Sequence, residues 1–376
     1  MERIKITDNR SEMISIGKDI FENNPSQYDE RKIKLLNDDM EKYTKGMTEK
    51  EISDLFYLLV YDYWVYGVSV KQYFFYGFEN KTHNEKKAYL TMRNRFAYTY
   101  YLNNKDDWYQ LENKYEAYTR LKEFYKRDVI KISSEEDYTL FEQFAQRHHN
   151  FVVKPAGLGC GLGVHKRELQ EDCDLHKEFQ SLLEIGLGAK KQYGYWTHVQ
   201  VDTDVVLEEE INEDPAIAAI HPYSLNPLRV TTIRIGDKVH FFYPRISIGN
   251  NKSFITNASS GALVAGIDSA TGKIETNGFS EFREEYAVHP MTNVVIKGFQ
   301  IPKWDEMKAM LTEAAKRLPT IRYVGWDVAL SDKGWCIIEG NFMGEFTSQV
   351  AYGKGCKPEL ENLIGWKPEK EFWWEK

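Results

Sequence analysis

Apolar residues recur at helical spacing through the first third of the chain. Residues 31–43 and 86–103 form amphipathic patterns, and residues 50–66 are apolar on several faces. No strand pattern bounded by turn residues interrupts these segments. The pattern therefore predicts a largely helical N-terminal region over residues 1–126.

A strand pattern replaces the helical one beyond this region. Residues 128–132 are rich in β-branched side chains, and the Ser-Ser-Glu-Glu segment 133–136 is the N-cap signature of a helix expected to end near residue 148. The elements predicted beyond it are strands at 151–155, 196–201, 205–211, 228–235 and 238–246, a helix at 303–318, and strands at 323–330 and 335–341. The sequence thus predicts an α+β protein. Its expected parts are residues 1–126, 127–212, 213–366 and a C-terminal tail, 367–376.

Composition and charge limit the functions that this chain can have. With 376 residues, 42% of them hydrophobic, there is enough apolar material for two or three packed units. The net charge is −8 with both signs mixed, which argues against a nucleic-acid partner because such a partner favours a basic surface. The four cysteines, which lack zinc or disulfide spacing, are Cys160, Cys173, Cys336 and Cys356. We expect free thiols in a reducing compartment.

The apolar stretches do not indicate a membrane protein. Residues 1–8 lack the apolar core of a signal peptide. The longest apolar stretch, 52–78, contains Asp54, Asp62 and Lys71, which would be costly inside a bilayer. We expect a cytoplasmic protein that does not span a membrane.

Oxygen-bearing side chains interrupt the last two predicted strands. Asp327 lies in the middle of an apolar strand, and Glu339 and Asn341, two residues apart, point to one face of the next strand. A lone buried carboxylate is costly, whereas a cluster of oxygen donors can bind a hard cation such as Mg²⁺. The pattern indicates a magnesium site, and the alternative is a solvated hairpin edge.

A lysine and a run of glycines end the predicted strand 151–155. Lys154 lies at the end of the strand, where its side chain can reach a phosphate. The glycines that permit positive φ and close approach of the backbone to an anion are Gly157, Gly159, Gly161 and Gly163. The order lysine, glycines, strand differs from a Walker loop and from a Rossmann fingerprint. It predicts a β-hairpin that covers a nucleotide as a lid, and the alternative is a mobile hairpin without a ligand.

The next strand ends in consecutive acidic residues. The segment is Leu207-Glu208-Glu209-Glu210-Ile211. Its backbone is suited to an adenine edge and one of its carboxylates to the ribose hydroxyls. The alternative is a solvated acidic turn, and the spacing does not decide which glutamate points inward.

Arginines lie on the two strands that follow. Arg229 and Arg234 are five residues apart and so face opposite sides of one strand. Arg245 lies on the partner strand, and Asn257 lies in the loop beyond it. Arginines aimed at a phosphate or an acyl phosphate would stabilise the charge that is transferred. The alternative is cross-strand ion pairing on an exposed face.

Two histidines are weaker candidates for a general base. His289 precedes a proline and His165 lies beside the glycine run. Histidines in turns are more often solvated, and no Ser, His and Asp set with a recognisable nucleophile is found.

Taken in chain order, the candidate residues resemble the ATP-grasp superfamily of carboxylate-amine ligases over roughly residues 105–341. The motif Glu339-Gly340-Asn341, the His289-Pro290 turn and the aromatic helical N-terminus look most like its sugar-transfer-associated branch. The resemblance implies an ATP-grasp fold, in which two α+β subdomains clasp ATP and the helical region covers one side. It also implies a setting in capsular or cell-surface polysaccharide synthesis.

The resemblance implies a role for each candidate residue. Lys105 and Lys154 would bind the nucleotide phosphates beneath the glycine loop, and the segment 208–211 would line the adenine and ribose. Asp327, Glu339 and Asn341 would hold one or two Mg²⁺ ions, with Mn²⁺ as an alternative. The catalytic residues would be Arg229, Arg245 and Asn257.

The implied function is that of an ATP-dependent ligase. A carboxylate attacks the γ-phosphate, and an amine then attacks the resulting acyl phosphate. The expected partners are a small or sugar-linked carboxylate, an amine, and polysaccharide-synthesis enzymes. The alternatives are a kinase that phosphorylates a sugar or polyol hydroxyl, and a catalytically silent nucleotide-binding scaffold for glycosyltransferases. The helical N-terminal region departs from the usual preceding domain, so the resemblance implies no role for it.

Overall fold

An N-terminal group of helices packs against one of two antiparallel sheets. The computed structural model describes residues 4–159, 161–193, 203–252, 256, 261–344 and 346–370. The predicted strand at 196–201 and the candidate residue Asn257 lie outside these ranges. Within them, no helix combines the length and the apolar character needed to cross a membrane.

Side-chain caps determine where the N-terminal helices begin. Asn9, Asp29 and Thr48 each accept a hydrogen bond from a backbone N–H in the first turn of the helix that follows. Gly67 and Gly77 end two helices with φ of 69° and 67°, a conformation that favours glycine. The helices are α1 (Arg10–Asn23), α2 (Glu30–Glu41), α3 (Glu49–Tyr66), α4 (Val70–Tyr76), α5 (His83–Lys87), α6 (Arg95–Leu102), α7 (Tyr109–Glu112) and α8 (Lys114–Tyr125). The prediction of a helical N-terminal region is confirmed.

The helical region and the second sheet share one apolar core. Tyr61 and Val65 on α3 are fully buried, in keeping with a helix that is apolar on several faces. The same cluster includes Val264 and Val350, which lie far along the chain. Burial of this shared apolar surface therefore stabilises the attachment of the helices to the sheet.

Gln349 divides the helix predicted at 86–103 into two. α5 ends at Lys87 and α6 begins only at Arg95. The buried Gln349 side chain accepts a hydrogen bond from the Leu90 N–H and donates one to the Leu90 carbonyl, both at 2.9 Å. The prediction of one helix was wrong because a side chain 259 residues away takes both backbone groups of Leu90.

The first sheet has the order β1-β4-β2-β3, and each neighbouring pair is antiparallel. Its strands are β1 (Val129–Ile132), β2 (Asn150–Pro155), β3 (His165–Glu168) and β4 (Val205–Glu209). Phe151 on one face packs with Phe141 of α9 (Tyr138–Arg147) and Phe179 of α10 (Leu175–Tyr193). The glycine loop joins β2 to β3 as a hairpin, as the sequence predicts.

The second sheet has the order β11-β10-β5-β6-β7-β8-β9 and is also antiparallel. Its strands are β5 (Leu228–Ile235), β6 (Lys238–Ile248), β7 (Leu263–Gly266), β8 (Gly278–Phe279), β9 (Glu285–Tyr286), β10 (Tyr323–Ser331) and β11 (Gly334–Asn341). The remaining helices are α11 (Pro215–Ala218), α12 (Trp304–Lys316), α13 (Gln349–Tyr352) and α14 (Lys357–Ile364). Val129 and Val206 of the first sheet belong to the same apolar cluster as Val230 and Trp326 of the second. Strand β11 forms an edge of the second sheet.

The contacts of Gln349 give a testable prediction for stability. Gln349→Leu removes the partners of Leu90 and of the Cys356 N–H, which lies 3.0 Å from the Gln349 amide oxygen. Because buried groups lose their partners, we expect the free energy of unfolding to fall by about 2–4 kcal/mol. Chemical denaturation measures this change. Gln146→Leu, at an exposed site on α9, is the control, and equal effects of both substitutions would contradict the role of Gln349.

Candidate functional site

Four charged side chains form one row across the second sheet. The strand register pairs Glu339 with Asp327, Asp327 with Arg229, and Arg229 with Arg245. Residues that are directly paired across antiparallel strands point to the same face. The row therefore crosses β11, β10, β5 and β6 on the face opposite to the one that carries Val230 and Trp326.

Two β-bulges aim the outer members of this row. On β11 the pairing moves from Asp327–Glu339 to Val328–Ile337, which leaves Ile338 as an extra residue. Ile337 is fully buried, so without the bulge Glu339, two residues further, would point into the same core. A second register shift, on β6, precedes Arg245. Because of the bulges, one strand can direct its apolar side chains into the core and its charged side chains to the site face.

Arg229 and Asp327 form a bidentate ion pair in the middle of the row. The Arg229 Nε lies 2.8 Å from the Asp327 Oδ1, and its Nη2 donates to Oδ2 at 3.0 Å. Burial raises the pKa of the Asp327 carboxyl, Arg229 opposes that rise and Glu339 adds to it, with a net pKa above the ordinary value. Two facing carboxylates on adjacent strands favour a bound cation.

Arg245 continues the row beside Arg229. Its Nη1 donates to the Ser247 hydroxyl, and its buried Nε has no hydrogen-bond partner in the described part of the chain. Burial and the neighbouring Arg229 lower the pKa of Arg245 to about 10. Asp327 forms its ion pair with Arg229, so the neighbouring Arg245 keeps an attraction for an anion.

Asn341 completes the predicted group of oxygen donors. Its Nδ2 lies 3.5 Å from the Asp327 Oδ2 and 3.4 Å from the Gly325 carbonyl oxygen. Among the residues that the structure describes, no group of three or more His, Cys, Asp or Glu side chains is placed to hold a metal ion. The predicted group has two carboxylates, Asp327 and Glu339, and one amide, Asn341. Oxygen donors of these types are hard ligands that fit Mg²⁺.

Lys154 and Glu208 form a second charged cluster, on the first sheet. The Lys154 Nζ donates to the Glu208 Oε2 at 2.8 Å, and the same oxygen accepts from Arg127 Nε at 2.9 Å and Nη2 at 2.7 Å. Burial raises the pKa of Glu208, but the two cations outweigh burial and bring it to about 2. Glu208 is therefore ionised and holds both cations.

Each of the three consecutive glutamates pairs with a different lysine. Glu208 pairs with Lys154, Glu210 pairs with Lys166, and Glu209 lies 2.6 Å from Lys333. Only Glu208 is buried. A narrow pocket near these glutamates is lined by, among others, Arg127, Glu209, Glu210, Ile211, Lys333 and Cys336.

The glycine loop faces the end of β11. A cavity of about 190 Å³ lies between them, and its lining includes Lys114, Gly157, Gly159, Glu339, Asn341 and Phe342. Gly161 and Gly163 have φ of 74° and 71°, which favours glycine. Gly157 and Gly159 do not have positive φ. The structure thus brings the loop and the predicted metal ligands to one cavity.

Several candidates lie elsewhere, and sequence reasoning missed others. Lys105 is exposed on a short turn before α7, and Asn257 is outside the described residues. Lys114 was missed although it lies in the cavity, where its Nζ donates to the Leu158 carbonyl. Arg127 was also missed, and its only signal is a charge directly before a strand.

The histidine candidates do not join the site. His289 is fully buried, with ring nitrogens 2.7 Å from the Gly249 carbonyl oxygen and 3.1 Å from the Thr292 hydroxyl. Both nitrogens are therefore engaged in holding adjacent loops. The His165 Nδ1 lies 3.0 Å from the Gly163 carbonyl oxygen at the loop base.

The two antiparallel sheets and the charged cluster on each of them define a class of protein. The family model described as sugar-transfer associated ATP-grasp matches residues 93–364. The chain belongs to this family, and its fold is the ATP-grasp fold. The predicted family and fold are confirmed. No curated protein matches the sequence.

Solved structures of ATP-grasp ligases are similar to this chain. D-alanyl-alanine synthetase A from Vibrio cholerae is 13% identical, with 69% of this chain and 62% of that one covered and a TM-score of 0.39. D-alanine-D-alanine ligase from Coxiella burnetii is 13% identical, with 70% and 59% covered and a TM-score of 0.42. The ligase PsnB, in complex with a phosphomimetic precursor variant, Mg and ADP, is 15% identical, with 70% and 61% covered and a TM-score of 0.40. The chain spans about three fifths of the length of each.

The lowered pKa of Glu208 predicts a pH dependence of stability. Because the pKa in the folded state lies below the ordinary value of 4.5, the ion pairs of Glu208 stabilise the protein above that pH. This contribution is lost as the pH falls toward about 2. The difference in unfolding free energy between wild type and Glu208→Gln should therefore shrink with falling pH.

Denaturant unfolding at several pH values measures this difference. The exposed Glu171→Gln is the control, for which we expect a small difference at every pH. A difference for Glu208→Gln that stays constant from neutral to acid pH would contradict the ion-pair assignment.

Proposed function

We propose that this protein is an ATP- and Mg²⁺-dependent ligase that joins an amine to a carboxylate through an acyl phosphate. The observation that carries the proposal is the row Glu339, Asp327, Arg229, Arg245, which begins beside the glycine-loop cavity. One end of the row has oxygen donors for a cation, and the other end has guanidinium groups for an anion. Such a polarity suits a phosphoryl group that moves between two oxygens.

The cation would be held by Asp327, Glu339 and Asn341. Their hard oxygen donors, with two carboxylates directly opposed in the register, fit Mg²⁺ bound together with nucleotide phosphates. When bound, Mg²⁺ supplies neutralisation of charge on the β- and γ-phosphates.

The nucleotide would lie between the two sheets. Lys154 would bind a phosphate in exchange for Glu208, and the loop 157–163 would cover the phosphates. The adenine edge would meet the backbone near Ile211, in the pocket that Glu209 and Lys333 line. A second phosphate ligand would come from Lys105 or from Lys114, and the position of Lys114 in the cavity favours the latter.

Arg229 and Arg245 would act on the group that is transferred. The substrate carboxylate oxygen attacks the γ-phosphorus, the bond to ADP breaks, and an acyl phosphate forms. The amine then attacks the acyl carbon, a C–N bond forms, and phosphate leaves. The unpartnered Nε of Arg245 provides a buried donor for these oxygens, and Arg229 holds Asp327 in place. Asn257, which lies outside the described residues, stays a proposed catalytic residue.

The family description favours a substrate from sugar metabolism. We infer that the carboxylate is carried by a sugar and that the reaction belongs to surface polysaccharide synthesis in the cytoplasm. Aromatic residues make up 14% of the chain, which is compatible with contacts to sugar rings.

Nucleotide binding tests the site assignment first. With ATP and MgCl₂, the melting temperature of the wild type should rise by roughly 5 °C, because a ligand that binds only the folded state stabilises it. Glu339→Gln should lose this shift, since it removes one of the two opposed carboxylates. Thermal denaturation with and without Mg²⁺ measures both.

The control for that experiment is Glu313→Gln on α12, an exposed residue whose side chain pairs with Lys316. It should show the same shift as the wild type. A Glu339→Gln protein that keeps the full Mg²⁺-dependent shift would rule out the proposed metal ligands. Mass spectrometry of products then decides the reaction, because a phosphorylated hydroxyl without condensation would identify a kinase.

A further inference from the structure

One guanidinium group connects the two sheets. Arg127 lies two residues before the start of β1, and its side chain is 3% exposed. Two of its N–H groups are donated to Glu208 on β4. The others reach the carbonyl oxygens of Tyr125 at 3.1 Å, Ile337 at 2.7 Å and Ile338 at 3.5 Å. All five donors of the guanidinium therefore have an acceptor within 3.5 Å.

The two isoleucine carbonyls belong to the bulge that aims Glu339. Ile338 is the extra residue of β11, and Ile337 is the last residue before it that pairs with β10. Since β11 is an edge strand, carbonyls that point away from β10 need another donor. Arg127 supplies that donor, so its position is coupled to the local shape of β11 that directs Glu339 to the site face.

The same guanidinium sets the charge around Lys154. Lys154, Glu208 and Arg127 meet at one carboxylate oxygen, and the cluster has a net charge of one positive unit if all three are ionised. Arg127 has the larger number of contacts to Glu208. If Lys154 moves from Glu208 to a phosphate, Glu208 keeps a buried cation and is not left uncompensated.

We propose that Arg127 is a positioning residue that couples the phosphate-binding lysine to the metal-binding strand. It retains Glu208 when Lys154 exchanges that carboxylate for a nucleotide phosphate, and it holds the bulge that places Glu339. This inference rests on the proposed nucleotide site. Arg127 also lines the narrow pocket proposed for the adenine, but the role inferred here is toward Glu208 and β11. Arg127 thereby links phosphate binding at Lys154, on the first sheet, to the shape of β11 in the second sheet.

The first test is the dissociation constant of the Mg²⁺ complex of a non-hydrolysable ATP analogue, measured by calorimetry. Arg127→Met should weaken binding about tenfold or more, because coupled residues show interaction energies of this order. If Lys154 acts through this cluster, the double variant Arg127→Met/Lys154→Met should bind within about threefold of Lys154→Met alone. Independent effects would instead multiply.

The second test measures the ligand environment of the bound ion, which depends on the shape of β11, and does not measure affinity. The electron paramagnetic resonance spectrum of Mn²⁺ bound with the same analogue is sensitive to the ligands of the ion. Arg127→Met should change this spectrum, whereas Lys154→Met should leave it as in the wild type. Arg127→Lys can still pair with Glu208 but lacks the rigid fork of donors, so it should recover most of the affinity and keep the altered spectrum.

Arg147→Met is the matched control, since Arg147 is an exposed arginine paired with Asp128, the residue next to Arg127. It should match the wild type in both tests. Absence of analogue binding to the wild type would overturn the proposed function itself. If the wild type binds, a folded Arg127→Met protein with wild-type affinity and spectrum would overturn the coupling. If Arg127→Met does not fold, an Arg127→Lys spectrum identical to that of the wild type would do so.

Discussion

The register between β10 and its two neighbours is the constraint on which the site depends. Because side chains alternate between faces, a slip of one residue would turn Asp327 into the apolar core and Trp326 toward the site. Trp326 is fully buried, and its Nε1 donates to the Thr232 hydroxyl at 2.8 Å. Packing of this indole on one face therefore fixes the position of the carboxylate on the other. The position of the charged row therefore depends on apolar packing on the opposite face of the sheet.

Three of the cations near the site are paired with carboxylates. Lys154 is paired with Glu208, Arg229 with Asp327, and Lys333 with Glu209. A phosphate that reaches Lys154 would replace one anionic partner by another and would not have to bury a bare charge. Pre-paired cations of this kind are already partly removed from water, which lowers the reorganisation that binding requires.

The strand patterns indicated an α+β protein, and isolated charges in apolar strands indicated candidate site residues. The ATP-grasp fold was implied by the resemblance of these residues, in chain order, to that family. The sequence did not show where a side chain far along the chain takes the backbone hydrogen bonds of a predicted helix. The helix predicted at 86–103 was interrupted by Gln349, and α10 was missed because Gly186 and Gly188 weaken its helical pattern. The structure gives a reason for Gly186, since an added Cβ would lie 1.9 Å from the Thr203 carbonyl oxygen. The bulge on β6 had one unused signal, Pro244 within a strand. For Arg127 the only signal was a charge directly before a predicted strand, because its contacts include a carbonyl 210 residues away.

The order of the strands along the chain has a consequence for biosynthesis. Arg229 and Arg245 lie on β5 and β6, but Asp327, the carboxylate that pairs with Arg229, follows 98 residues after it. A nascent chain that has folded only the earlier strands would present two adjacent guanidinium groups without their counter-charge. Addition of β10 therefore supplies the counter-charge of Arg229 as well as another strand of the sheet.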